Sequence, residues 1–244
     1  MIRSNHIIII NIIGLISILY FLYKGIDPMW WIYVFFTYFL FSCLGITITF
    51  HRFLTHRSFK FKHIFLKKLF ILLGSLAGTG SAIGWVAIHR HHHKYSDSEN
   101  DVHGPVRGWK NYVADYDDKV NYMLVKDLIS DKYILTLHNY GLLVLLIYYM
   151  FLLLLGGFIA VALFGFIPQT LTNVISALCN WFSHKTGYVS YNTCDDSKNT
   201  WWLSIVTWGD SWHNNHHAKP WLYSFSHKWW EIDISGIIIK LIKK

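Results

Sequence analysis

Two apolar runs close to the start of this chain leave it few ways to fold. Residues 6–23 (H-I-I-I-I-N-I-I-G-L-I-S-I-L-Y-F-L-Y) and 29–50 each approach the roughly 20 apolar residues that cross a bilayer as a helix, and K-G-I-D-P joins them. Arg3 ahead of the first run would suit a signal peptide. No small-residue cleavage site follows, however, and the run is too long, so the residues favour an anchor. A third run covers residues 141–163. A more polar fourth, residues 167–184, is set off by Pro168 and carries Gln169, Thr170, Thr172, Asn173, Ser176 and Asn180. A helix of that length reaches only about 25 Å, and its polar side has to face protein.

Composition agrees, since 53% hydrophobic, 18% aromatic and 15% charged residues are too apolar a mixture for an ordinary soluble domain. The net charge of +8 invites a nucleic-acid reading, which its distribution opposes. Lysines and arginines gather around the histidine-rich segments and in the terminal I-K-L-I-K-K, the pattern of a cytoplasmic membrane face, so membrane lipid and no nucleic acid is expected as a partner. Cys43, Cys179 and Cys194 form no C-x-x-C pair, which argues against a disulfide framework or a zinc knuckle.

Imidazole dominates the polar remainder. His213, His216 and His217 stand at i, i+3 and i+4, and H-R-H-H-H repeats the spacing with His89, His92 and His93. On an α-helix each triplet falls within about 100° of arc, whereas His91 points the opposite way, toward the surface. H-R-F-L-T-H from His51 to His56 has i, i+5 spacing, which shares no α-helical face; it would serve two metals, or one where a helix ends. Asn180 and His184 stand at i, i+4. The single histidines His6, His63, His103, His138 and His227 are read as solvated or hydrogen-bonded. Clustered imidazoles repel when protonated, so metal is the simplest reason to gather nine of them. There is no H-E-x-x-H for a zinc protease, and haem would use only one or two histidines. Nine nitrogens supply two transition metals with four or five ligands each, leaving room for oxygen, and imidazole suits iron.

A shared metal site constrains the topology. Residues 64–88 are apolar too, interrupted by Gly74, Gly78, Gly80 and Gly84, yet a single crossing there would leave His51 and His56 about 30 Å from the histidines at 89–93. That segment is therefore expected to be re-entrant or interfacial. Four spans then put both termini, all the histidine clusters and every Lys and Arg but Lys24 on one side, the cytoplasmic one. The expected fold is an all-α integral membrane protein, a single domain over residues 1–244. It has four transmembrane helices and a cytoplasmic helical cap, chiefly residues 94–139, with a histidine-rich dimetal site. The last W-W-E-I-D-I-S-G-I-I-I-K-L-I-K-K is expected to lie in the membrane interface.

These residues resemble a known family, the membrane-bound fatty acid desaturases of the stearoyl (delta-9) type. The resemblance covers nearly the whole chain. It rests on H-R-F-L-T-H-R-S-F-K from His51, W-V-A-I-H-R-H-H-H-K-Y-S-D from Trp85, N-W-F-S-H-K-T-G-Y from Asn180, and D-S-K-N-T-W-W followed by W-G-D-S-W-H-N-N-H-H-A-K-P. It implies two Fe2+ ions held by His51, His56, His89, His92, His93, His184, His213, His216 and His217, with Asn180 reaching one through water. It also implies a reaction in which O2 and two electrons remove two hydrogens from adjacent methylenes of a saturated acyl chain, leaving a cis double bond, with delta-9 the expected position, and water. Trp85 is a candidate wall of the substrate tunnel, and Asp97, Asp101 and Asp210 are candidates to receive the outer N–H of ligating imidazoles. Asp210 stands where relatives commonly carry glutamate.

Two positions bear on the acyl carrier. Ala87 and Ile88 stand where animal acyl-CoA members place Arg-Asp against CoA, and Val189 where relatives often have arginine, which sets an acyl-lipid substrate beside acyl-CoA. Arg52, Arg57, Arg90, Lys94 and Lys185 could meet phosphate from either. No H-P-G-G haem pattern occurs, so electrons are expected from an external cytochrome b5 or ferredoxin with its reductase, docking on the basic face. The implied location is the endoplasmic reticulum or a bacterial inner membrane. A hydroxylase or ketolase on the same histidine scaffold, and a non-enzymatic membrane metal-binding protein, stay open as alternatives.

Overall fold

The computed structural model describes residues 4–104 and 121–244; among them the chain is helical, with isolated bridges and no sheet. Part of the expected cap, residues 105–120, lies outside the described residues. Helices α1 (Ser4–Lys24) and α2 (Pro28–Tyr38) meet at a turn where Asp27 accepts from the Met29 N–H and Pro28 occupies the first helical turn. α2 runs on into a π-helix, Phe39–Thr55. Thr49 and Thr55 reinforce its wide register, their hydroxyls donating to the Leu44 and Phe50 carbonyls five residues back. α3 (Ile64–Leu76) lies so close to the π-helix that a Cβ on Gly45 would sit 2.5 Å from the Gly74 nitrogen. Gly78 and Gly80, both at positive φ, turn the chain into α4 (Ala82–Tyr95), which Ser81 caps by accepting from the Gly84 N–H. The apolar segment 64–88 is thus two helices around a glycine turn.

After a 3-10 turn, Tyr122–Val125, come α5 (Lys126–Ile129), α6 (Lys132–Asn139), α7 (Gly141–Ala160), a short π-helical stretch (Val161–Phe166) and α8 (Ile167–Ser183). Three stretches among the described residues are long and apolar enough to cross a membrane: Asn5–Lys24, Pro28–Thr55 and Gly141–Ser183. The third is not one straight rod. Gly156 and Gly157 leave helical geometry, Gly157 at φ 64° and ψ −160°, a region open essentially to glycine alone. The chain reverses there: Tyr148 Oη donates to the Phe164 carbonyl and Tyr149 Oη to Gln169 Oε1, pairs a straight helix would hold about 24 and 30 Å apart. The reversal therefore falls at Gly156 and Gly157, not near Pro168, where the sequence reading divides the third run from the fourth. Pro168 instead sits in the first turn of α8, where the wide π turn before it accommodates a residue without an N–H.

Trp30, near the α1–α2 turn, lies with its ring centroid 6.1 Å from that of Phe164, just past the Gly157 reversal, so both turns share one end of the bundle. The polar side of α8 faces protein. Buried Gln169 donates to the Leu76 carbonyl at 2.8 Å, and Asn173 donates to Asn11 Oδ1 on α1 at 3.2 Å. The opposite end collects the close of the π-helix, α4, the close of α8, and two late helices, α9 (His213–Ala218) and α10 (Ile234–Ile242). α10 buries Ile239 against the π-helix and leaves Ile237 and Leu241 exposed.

Candidate metal centre

At that second end nine imidazoles form two groups, and within each the ring nitrogens on offer all lie within 4.8 Å of one another. One group is His51, His56, His89, His93 and His216; the other is His92, His184, His213 and His217. Local backbone accounts for the division. The π-helix repeats its hydrogen bonds every five residues, so the i, i+5 pair that shares no α-helical face shares this one: the His56 N–H donates to the His51 carbonyl, and the two ring centroids lie 5.0 Å apart. On α4, His89 and His93 enter the five-histidine group while His92 enters the other; on α9, His213 and His217 enter the four-histidine group and His216 crosses over.

The residues between the α9 histidines brace the helix. Asn214 Oδ1 accepts from the Ser190 and Tyr191 N–H groups, and Asn215 Nδ2 donates to the Phe225 carbonyl and to Glu231. Asn199 Nδ2 donates to Asn215 Oδ1, and Asn199 pairs by backbone with both Tyr188 and Trp212. The G-Y and D-S-K-N segments therefore act as scaffold for the last histidine helix.

Four imidazoles donate Nδ1–H to carboxylates: His51 to Asp210 at 3.1 Å, His92 to Asp101 at 2.9 Å, His184 to Asp97 at 2.8 Å and His217 to Asp195 at 2.7 Å. A proton on Nδ1 leaves Nε2 as an inward lone pair. Asp210 reaches its imidazole although it is a carbon shorter than glutamate. Asp195 is a partner that sequence reasoning missed; C-D-D offers two adjacent carboxylates and nothing local says which turns inward. Burial works to raise these carboxyls, but the imidazole contacts, joined by backbone N–H groups at Asp97 and Asp101, by Ser197 and Thr193 at Asp195 and by the Arg52 guanidinium at Asp210, outweigh it and hold all four below the usual carboxylate range. Burial first, then neighbouring imidazoles, push His56, His89, His93, His213, His216 and His217 far below the ordinary histidine value, so these rings are neutral donors.

The donor set fits a cation. His51 Nε2 faces His216 Nε2 at 3.0 Å, His216 Nε2 faces His93 Nε2 at 2.8 Å, and His184 Nε2 faces His213 Nε2 at 3.0 Å. Among the described residues, the buried Nε2 atoms of His56, His92 and His217 have no hydrogen-bond partner. Inward lone pairs that meet only one another are satisfied by a metal, and an all-imidazole set suits a first-row transition ion such as iron.

Comparison with known sequences decides the family. The fatty acid desaturase family model matches residues 28–233. The chain belongs to the fatty acid desaturase family. This desaturase is 32% identical over 241 residues to the sn-1 stearoyl-lipid 9-desaturase of Synechocystis sp., covering 96% of this chain and 74% of the relative. It is 35% identical over 209 residues to Delta-9 acyl-lipid desaturase 1 of Arabidopsis thaliana, covering 82% and 68%. The Acyl-CoA C20 Delta5-desaturase of Anemone leveillei is also 35% identical over 209 residues, covering 82% and 66%. The protein is an oxidoreductase, and a purely metal-binding role no longer accounts for it.

The remaining residues of the desaturase fall around the two groups. Asn180 belongs to neither directly; its Nδ2 donates to His103 Nε2. His103 is thereby hydrogen-bonded into the site rather than solvated: its N–H donates to Asp101, its ring centroid lies 6.0 Å from that of His92, and burial takes its pKa down to about 3. Nothing in D-V-H marks it beforehand. Trp85 stacks on His89 with centroids 5.0 Å apart, and with Ser42, Ile46, Ile175 and Cys179 it lines a cavity that reaches His51, His89 and His213. His91 turns away toward Tyr95. Two of the five cations offered to phosphate are internal braces. Arg52 is fully buried between Asp210, Asp233 and the Tyr223 carbonyl, and Arg90 donates to the Leu54, Thr55 and Leu124 carbonyls beside Asp127. Arg57, Lys94 and Lys185 remain exposed.

Proposed function

We propose that this desaturase introduces a cis double bond, at the delta-9 position, into a saturated acyl chain carried on a membrane lipid, using O2 and two electrons from an external donor. The observation that carries this reading is the division of nine imidazoles into two adjoining groups beside an apolar-walled cavity. His51, His56, His89, His93 and His216 would hold one iron, and His92, His184, His213 and His217 the other, with Asn180 meeting the second through water. When bound, the irons supply the oxygen activation and hydrogen abstraction that the reaction needs. The chain's own residues supply the rest. Asp97, Asp101, Asp195 and Asp210 keep ring lone pairs directed inward, while Trp85, Ile46 and Ile175 exclude water and position the methylenes.

Two observations favour a lipid carrier over CoA. Ala87 and Ile88 are packed into the apolar core with Phe50 and Val86, so nothing polar stands where animal acyl-CoA members carry Arg-Asp. The relatives named for stearoyl-lipid and acyl-lipid substrates also stand beside one named for an acyl-CoA substrate, with the stearoyl-lipid enzyme matching the larger share of this chain, 96% against 82%. We further read four crossings, made by α1, by α2 with the π-helix, by α7 and by α8, in one domain spanning residues 1–244. The histidine end then faces the cytoplasm, in the endoplasmic reticulum or a bacterial inner membrane, where the exposed Lys94 and Lys185, with Arg57 already paired to Asp127 at 2.8 Å, would meet an acidic cytochrome b5 or ferredoxin with its reductase.

Expression in a desaturase-deficient host, with positional mass spectrometry of the membrane lipids, is expected to give glycerolipids bearing a 9-monoene. A chain carrying an added oxygen atom would replace desaturation with hydroxylase or ketolase chemistry. Double bonds formed in isolated membranes only from added acyl-CoA would overturn the lipid carrier.

A further inference from the structure

We infer that the two histidine pockets hold their ions unequally, the four-histidine pocket the more tightly, so that the five-histidine pocket releases its ion first. This rests on the reading that both groups bind iron. Ligand number alone ranks the pockets the other way, five donors against four. Charge reverses the order.

A dication placed among buried neutral imidazoles needs anions close by, because burying an uncompensated charge is costly. In the smaller pocket three of the four rings, those of His92, His184 and His217, pass Nδ1–H to Asp101, Asp97 and Asp195. In the larger pocket only His51 does so, to Asp210; among the described residues no carboxylate pairs with His56, His89, His93 or His216. Each such partner fixes the ring and strengthens its donor nitrogen, and losing one typically costs about 10- to 100-fold in metal affinity.

The one carboxylate serving the larger pocket is also shared. Asp210 Oδ1 accepts from Arg52 Nη2 at 3.0 Å, and that guanidinium is fully buried, so it draws on the same negative charge. Among the described residues no lysine or arginine pairs with Asp97, Asp101 or Asp195. Their other hydrogen bonds include backbone N–H groups, from Asp196 to Asp97, from Asp97 and His103 to Asp101, and from Ser197 to Asp195. Three carboxylates with no paired lysine or arginine among the described residues thus stand one imidazole away from the smaller pocket, against a single shared one at the larger. Asp195 becomes a positioning residue for the tightly held ion.

The test uses the full chain in lipid nanodiscs, loaded anaerobically with Fe2+ and exposed to increasing concentrations of a ferrous chelator, with iron per chain counted by elemental mass spectrometry. Iron is expected to leave the native protein in two steps, with a plateau at one ion. Asp195→Asn and, independently, Asp97→Asn should move the second step to about 10- to 100-fold lower chelator. Asp195→Glu should restore part of that shift, and Asp210→Asn should move the first step only. Loss of both ions from the native protein in one step, or Asp195→Asn and Asp210→Asn moving the same step, overturns the ranking. A native chain that takes up fewer than two ions at saturation contradicts the two-metal reading itself, a separate result visible before any chelator is added.

Discussion

Helices α4 and α9 carry the same H-x-x-H-H spacing and use it in opposite ways. α4 gives its first and last histidines to the five-histidine pocket and the middle one to the four-histidine pocket; α9 does the reverse. On an α-helix i+4 lies about 40° to one side of i, while i+3 lies about 60° to the other. The outer two therefore side together and the middle one is splayed away. Spacing decides which imidazoles travel together, and tertiary packing decides which pocket they enter. Two such helices facing each other interleave, each serving its own pocket twice and its neighbour's once. The π-helix and His184 supply the remainder.

The crossing residues are where this pattern breaks hardest. His92→Ala and His216→Ala each remove the single ligand by which one helix serves the other's pocket. In both, product is expected to fall by more than about 100-fold while the chain stays in the membrane, read by lipid analysis and immunoblot. Gly45→Ala comes next. Its methyl would meet the Gly74 backbone, which has no flexible end to yield, and push aside the helix that carries His51 and His56. A loss of up to about 3 kcal/mol is expected, measured as thermal unfolding in detergent. Arg90→Gln strips the donors that hold the Leu54 and Thr55 carbonyls beside His56; about 1.5 kcal/mol and a several-fold drop in turnover are expected. The smallest effect belongs to His91→Ala, expected within about 0.5 kcal/mol of native and with activity retained. Equal loss in His91→Ala and His216→Ala would contradict the facing argument.

The gathering of the histidines was legible because helical facing is a local property, carried by i, i+3 and i+4 spacing. The wide π register was not, since the segment 39–50 is mostly apolar, and its few hydroxyls, Ser42, Thr47 and Thr49, set no periodicity that betrays the backbone's hydrogen bonds. The i, i+5 pair was the only trace of it. The reversal at Gly156 and Gly157 hides inside an unbroken apolar run, where Pro168 gives the stronger breaker signal. Arg52 and Arg90 read as surface cations because the groups that bury them are remote in sequence: Asp210 and Asp233 for Arg52, Leu54 and Leu124 for Arg90. Asp195 and His103 likewise take their meaning from tertiary neighbours, His217 and Asn180.

Iron bound per chain, measured on the purified 244-residue chain after anaerobic loading, tests the central claim most directly. Two ions are expected in the native protein and in His91→Ala. One is expected in the double variant His56→Ala/His89→Ala, which strips the larger pocket, and one in His92→Ala/His213→Ala, which strips the smaller. Two ions retained in both double variants, or fewer than two in the native chain, would contradict the account.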